Sequence, residues 1–103
     1  MSDITIKPGV SIKGLEVQAA IAFLVACSIY RKYGYTCRLT SGTEGKHSPG
    51  SLHYVGLAID LGILTIPKQM TETIYREITN SLGAEYDVVL ESDHIHIEYQ
   101  PKS

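Results

Sequence analysis

His53, Asp60 and His96 are the side chains in this sequence best suited to act together chemically. Two imidazoles and one carboxylate suit a borderline metal such as zinc, and three protein ligands leave a fourth coordination position for water. An open fourth position separates a catalytic metal site from a closed structural one. One zinc ion is therefore the expected cofactor. Asp60 gives the strongest hint, because it interrupts Leu57-Ala-Ile-Asp-Leu61. An unpaired carboxylate is costly to bury there, so a metal, an Arg or a helix N-terminus must compensate it. Arg38 is the in-chain alternative to a metal. His53 lies in a segment rich in Gly and Ser, where a lone histidine is ordinarily just solvated.

The third ligand comes from His94-Ile-His-Ile-Glu-Tyr99. A strand sends alternate side chains to opposite faces. His94, His96 and Glu98 then share one face, and Ile95, Ile97 and Tyr99 the other. The bland reading is a half-exposed edge strand with polar filler. One ion explains all three oddities together. Water beside a metal also needs a proton carrier. Glu91, Asp93, His94 and His47 are the candidates. Glu91 is preferred, because it ends one strand close to His96 on the next. Asp93 suits a turn. His94 or His47 could meet a substrate oxygen or a developing oxyanion.

These residues need a scaffold, and the chain offers one. Residues 3–7 alternate like an edge strand, stopped by Pro8-Gly9. Over residues 14–33, Leu15, Ala19, Ala22, Phe23, Ala26, Cys27 and Tyr30 recur at three- and four-residue steps. That predicts a helix apolar over most of its girth, buried on more than one side and stopped at Gly34. Residues 35–40 read as a strand, residues 41–51 as a surface loop, and residues 57–63 as a nearly continuous apolar strand. Pro67 opens a second helix whose stripe is Met70, Ile74, Ile78 and Leu82. Residues 86–91 and 94–99 form a hairpin across Ser92-Asp93. The expected fold is α+β: two helices packed on a small, mainly antiparallel sheet.

Composition agrees with one domain spanning residues 1–103. The chain is 44% hydrophobic and 19% charged, enough to build a core and too apolar for disorder. The net charge of −2, with no basic run, argues against a nucleic-acid partner. No apolar run is long enough to span a bilayer. The first residues lack the apolar core of a secretory signal, so synthesis in the cytoplasm is expected. Cys27 and Cys37 are expected to be free, buried thiols.

Ser51-x-His53-x-x-Gly56-x-Ala58-x-Asp60, followed by His94-x-His96, resembles the zinc D-alanyl-D-alanine carboxypeptidase superfamily. That superfamily includes phage endolysin peptidases and the hedgehog signalling domain. Thr43-Glu-Gly45 with His47-Ser48, and Tyr86-Asp-Val-Val-Leu-Glu91-Ser92, are similar to the hedgehog variant in particular. The likeness covers about residues 40–100, and small phage-type peptidase domains fit best overall. The resemblance implies a hedgehog/carboxypeptidase-like fold. It implies His53, Asp60 and His96 as zinc ligands, Glu91 as the water-activating carboxylate, and His47 and His94 lining the site. Of the acids that bind calcium in hedgehog domains only Glu44 remains, so calcium is not expected. Ser41-Gly42 is followed by Thr43, where many of the carboxypeptidases carry an Arg. Arg38 or Lys46 then stands in for that residue, and Arg38 and Ser51 are the substrate-binding candidates.

The implied activity is zinc-dependent hydrolysis of a peptide bond in bacterial peptidoglycan, as a carboxypeptidase or an endolysin endopeptidase. The partner is the peptidoglycan stem peptide, and the protein is expected to be a monomer. It would reach the cell wall after release or as part of a virion. The alternative is a zinc-containing cell-wall or protein binding module without turnover. A structural zinc domain of a virion is a weaker third reading.

Overall fold

In the computed structural model, residues 4–44, 52, 53 and 55–101 are described. Strand β1 (Ile4–Ile6) leads into helix α1 (Val17–Lys32), then β2 (Cys37–Ser41) and β3 (Ala58–Gly62). Helix α2 (Lys68–Leu82) follows, and β4 (Tyr86–Leu90) and β5 (His94–Tyr99) complete the chain. The strands form one sheet in the order β1-β2-β3-β5-β4. Only the β1–β2 pair is parallel; the other three are antiparallel. The fold is the expected α+β arrangement of two helices on a mainly antiparallel sheet.

The β4–β5 hairpin turns at Ser92-Asp93, closed by a 2.9 Å hydrogen bond from the Glu91 amide to the His94 carbonyl. Its partner on the other side is β3, in unbroken register from Ala58 opposite Glu98 to Gly62 opposite His94. Alternation then sorts the side chains. Leu39, Ile59, Leu61, Ile95 and Ile97 are buried. With Ala22, Ala26, Tyr30, Ile74 and Ile78 of the helices they make a single core. Burying that much apolar surface is the main favourable contribution to folding. The fully buried Tyr30 hydroxyl donates to the Gly62 carbonyl at 3.1 Å, so α1 is tied to β3 without leaving a polar group unpaired. Cys27 and Cys37 are free and buried, as expected.

Two boundaries differ from the sequence reading, each for a local reason. Helix α1 begins at Val17 rather than near Gly14. The Glu16 amide donates to the Gly56 carbonyl at 2.9 Å, and Glu16 is extended, so helical geometry starts only after it. Strand β2 begins at Cys37, not Tyr35, because the Tyr35 amide turns back to the Tyr30 carbonyl at the end of α1. A third expectation is corrected. Helix α1 is buried on one side only: Val17, Ile21 and Leu24 are exposed. One sheet face and one neighbouring helix cover one side of it, and among the described residues nothing covers the other. Among the described residues no helix is long and apolar enough to cross a membrane.

Candidate metal centre

The face of the sheet opposite the helices carries the polar side chains. Asp60 and His96 are partners across β3 and β5, so their side chains meet on that face. His96 Nδ1 lies 2.7 Å from Asp60 Oδ1. His53 arrives from outside the sheet, with Nε2 3.5 Å from the same oxygen. His94 Nε2 is 3.7 Å from it. One ligand atom from each of His53, Asp60 and His96 lies within 4.8 Å of the others, so this group could hold a metal ion.

His53 is placed by a backbone clamp. The segment after β2 folds against residues 11–16. The Thr43 amide donates to the Ser11 carbonyl at 2.8 Å, and the Ser11 and Gly42 amides both donate to Glu44 Oε1. These amide donors, with the Ser41 hydroxyl, outweigh the effect of partial burial and hold the Glu44 carboxyl below its ordinary pKa. Glu44 is therefore a loop organiser. A Cβ at Gly42 would lie 2.3 Å from the Ser11 carbonyl oxygen. At Gly56, where φ is +77°, a Cβ would lie 2.1 Å from the Gly14 carbonyl oxygen. Only glycine fits either position. The Gly42 carbonyl then accepts from His53 Nδ1 at 2.8 Å. That bond fixes the ring with Nε2 facing Asp60. His53 is 4% exposed, so its ring cannot swing into solvent.

His96 is held differently. Its Nδ1 faces Asp60 and its Nε2 faces Glu98 Oε1 at 2.8 Å. Carboxylates accept only, so both nitrogens carry protons and the ring is an imidazolium. The hydrogen bond to Asp60 is the main cause, opposed by burial and helped by Glu98, and it pushes His96 up to about 9. Burial would raise the Asp60 carboxyl, but the His53 and His96 imidazoles outweigh it and hold Asp60 far below its usual range. The pair is an ion pair with a shared proton where a cation would otherwise sit.

The donor chemistry fits a metal. Two ligands about 2.0–2.1 Å from a tetrahedral ion are separated by roughly 3.3 Å. The His53–Asp60 separation of 3.5 Å already matches that spacing. The His96–Asp60 contact, at 2.7 Å, is a hydrogen bond and shorter than that spacing, and exchange of its proton for an ion would open it. Outer partners are present for both histidines, Gly42 for His53 and Glu98 for His96, as is usual for metal-ligating imidazoles.

The other predicted residues divide. His94 joins the cluster, and its Nδ1 lies 2.6 Å from Asp93 Oδ1, so Asp93 orients it as well as forming the turn. Glu91 does not join it. Its side chain makes no hydrogen bond or ion pair among the described residues, and it lines a separate recess with Leu64, Lys68 and Thr71. Arg38 forms no ion pair with Asp60, whose partners are histidines. Instead Arg38 lines a groove that also reaches Asp60 and His94. His47 and Ser51 lie outside the described residues, as does Lys46. Glu98 is the site residue that sequence reasoning left without a role. The strand alternation had already put it on the face of His96, and that was the signal available.

No protein-family model matches the chain, and no curated protein matches it significantly.

Proposed function

We propose that this domain is a zinc-dependent hydrolase acting on a peptide bond of bacterial peptidoglycan. The observation that carries the reading is the His53–Asp60–His96 group, with ligand atoms within 4.8 Å of one another and a hydrogen-bond partner behind each imidazole. The likeness of the Ser51-to-Asp60 and His94-to-His96 segments to the zinc carboxypeptidase superfamily supplies the substrate class. When bound, zinc would polarise the scissile carbonyl and lower the pKa of the attacking water. The chain supplies the rest. His53 and His96 are locked in orientation by Gly42 and Glu98. His94 turns Nε2 towards Asp60 with Asp93 behind it, an arrangement suited to moving a proton or meeting an oxyanion. Glu91, one pair along the hairpin from β4, is the carboxylate proposed to take the water's proton and return it to the leaving amine.

Glu91 lies outside the cluster, and this favours a second reading, a zinc-containing binding module without turnover. One experiment separates them. Zinc-loaded protein is incubated with purified peptidoglycan, with and without chelator, and released peptides are read by mass. Release that stops with chelator and falls in Glu91→Ala supports the hydrolase with its assigned base. Equal release by Glu91→Ala removes Glu91 and leaves His94 as the proton carrier. Binding to the wall with no release at all favours the module.

A further inference from the structure

The two helices turn different faces to solvent. Helix α2 exposes Glu72, Thr73, Arg76 and Asn80, as a surface helix ordinarily does. Helix α1 has no charged side chain between Val17 and Tyr30. Val17, Ile21 and Leu24 stand 62%, 48% and 62% exposed, opposite the Ala19, Ala22 and Ala26 side that meets the core, and exposed Ser28 continues the row. Steps of four, three and four residues are the spacing of a coiled-coil seam, whose knobs need the holes of a second helix. The row ends in opposite charges. Glu16 precedes Val17, and Arg31 lies one turn beyond Ser28, both exposed. Neither forms an ion pair among the described residues, whereas Lys32, next to Arg31, is held by Glu77 at 3.0 Å. A neutral seam with an acid at one end and a base at the other is completed by a reversed copy of itself.

We infer that this face of α1 docks a second copy of the chain, α1 against α1 and antiparallel, about a two-fold axis between Ile21 and Leu24. Ile21 then meets the partner's Leu24, Val17 meets the partner's Ser28, and Glu16 comes within reach of the partner's Arg31. A crossing angle of about 20° keeps the two helices together along the row, and the reversed direction also sets each helix N-terminus beside the other's C-terminus, as their dipoles favour. A lipid surface suits the row less well, because no basic side chain flanks it before Arg31 and the chain carries a net charge of −2. Three turns of one helix make a small interface, so association in the micromolar range is expected. The metal cluster lies on the opposite face of the sheet. Pairing therefore leaves both clusters open, and the inference is independent of the hydrolase reading.

Sedimentation equilibrium of the whole chain tests this, from low micromolar to submillimolar concentration, at low ionic strength, with and without zinc. Wild type is expected to show a reversible monomer–dimer equilibrium in both samples, in place of the monomer expected from the sequence. Leu24→Glu should weaken it about thirtyfold or more, as loss of a central anchor does. Its circular dichroism should be unchanged, because Leu24 is exposed. Ile21→Glu should act alike. Glu16→Arg and Arg31→Glu should each weaken pairing about tenfold, since the two-fold axis repeats every contact. The double swap, Glu16→Arg with Arg31→Glu, should bring it back close to wild type, which parallel pairing would not do. A wild type that stays monomeric, including one that sediments instead with phosphatidylcholine vesicles, overturns the inference. So does a dimer indifferent to Leu24→Glu and Ile21→Glu, or one that the double swap fails to restore.

Discussion

The two faces of the sheet are built from the same strands and do opposite work. In β5, Ile95 and Ile97 are buried against the helices, while His94 and His96 emerge between them on the other side. In β3, Ile59 and Leu61 go to the core and Asp60 to the metal cluster. The apolar face is held by many non-directional contacts. The polar face is held by a few directional ones, each with a named partner. A single residue of offset separates stability from chemistry, so the register that builds the core also delivers the ligands.

Ile97→Asp should break the comparison most severely. It places a charge on the core face, where Ile97 is 1% exposed. The expected cost is about 4 kcal/mol or more, against a total stability of roughly 5–15 kcal/mol for a domain. Circular dichroism should show loss of fold with or without zinc. A native spectrum and an unchanged Tm would remove Ile97 from the core.

Asp60→Ala, one face over, should instead spare the metal-free fold and abolish the gain in Tm on adding zinc. Loss of affinity should exceed about a hundredfold, since losing an outer partner already costs about 10–100-fold. Glu98→Gln should give the milder version, about tenfold, by loosening His96. Zinc content by elemental analysis checks both. Full occupancy in Asp60→Ala would refute the ligand assignment.

The smallest effect is on pH dependence and belongs to the polar face alone. His96 is raised from 6.5 to about 9 in the metal-free protein. Its contribution to stability is therefore complete below about pH 6.5 and is lost as pH rises through 9. Asp60 is lowered from an ordinary value of 3.8, so its contribution is present above that value and is lost in stronger acid. Metal-stripped protein should have its highest Tm between these limits. His96→Gln should flatten the alkaline decline. Zinc affinity should run the other way and rise with pH, because the His96 proton must leave. Tm scans of the stripped and loaded protein across pH 4–9 would show whether the two trends oppose each other.

Much of this was legible from residue order. Period-two alternation through residues 94–99 announces both faces of β5, and steps of four through Ile74 and Ile78 announce α2. Both signals are strong because each element meets the core along one face. The girth of α1 misled, because Val17, Ile21 and Leu24 look like core residues until the number of available neighbours is known. A one-dimensional pattern records how apolar a helix is, not how many surfaces cover it.

Sequence alone determined the fold class, the strand that carries Asp60, and the residue types able to grip a cation. These depend on local periodicity and on the cost of burying a lone carboxylate. Tertiary structure decided which nitrogen of His53 faces Asp60, because the Gly42 carbonyl comes from a segment packed against Ser11. It likewise gave Glu98 a partner in His96, gave Asp93 one in His94, and turned Glu91 towards another recess. Those outcomes depend on side-chain directions and on contacts between residues far apart in the chain, and spacing along the chain does not encode them.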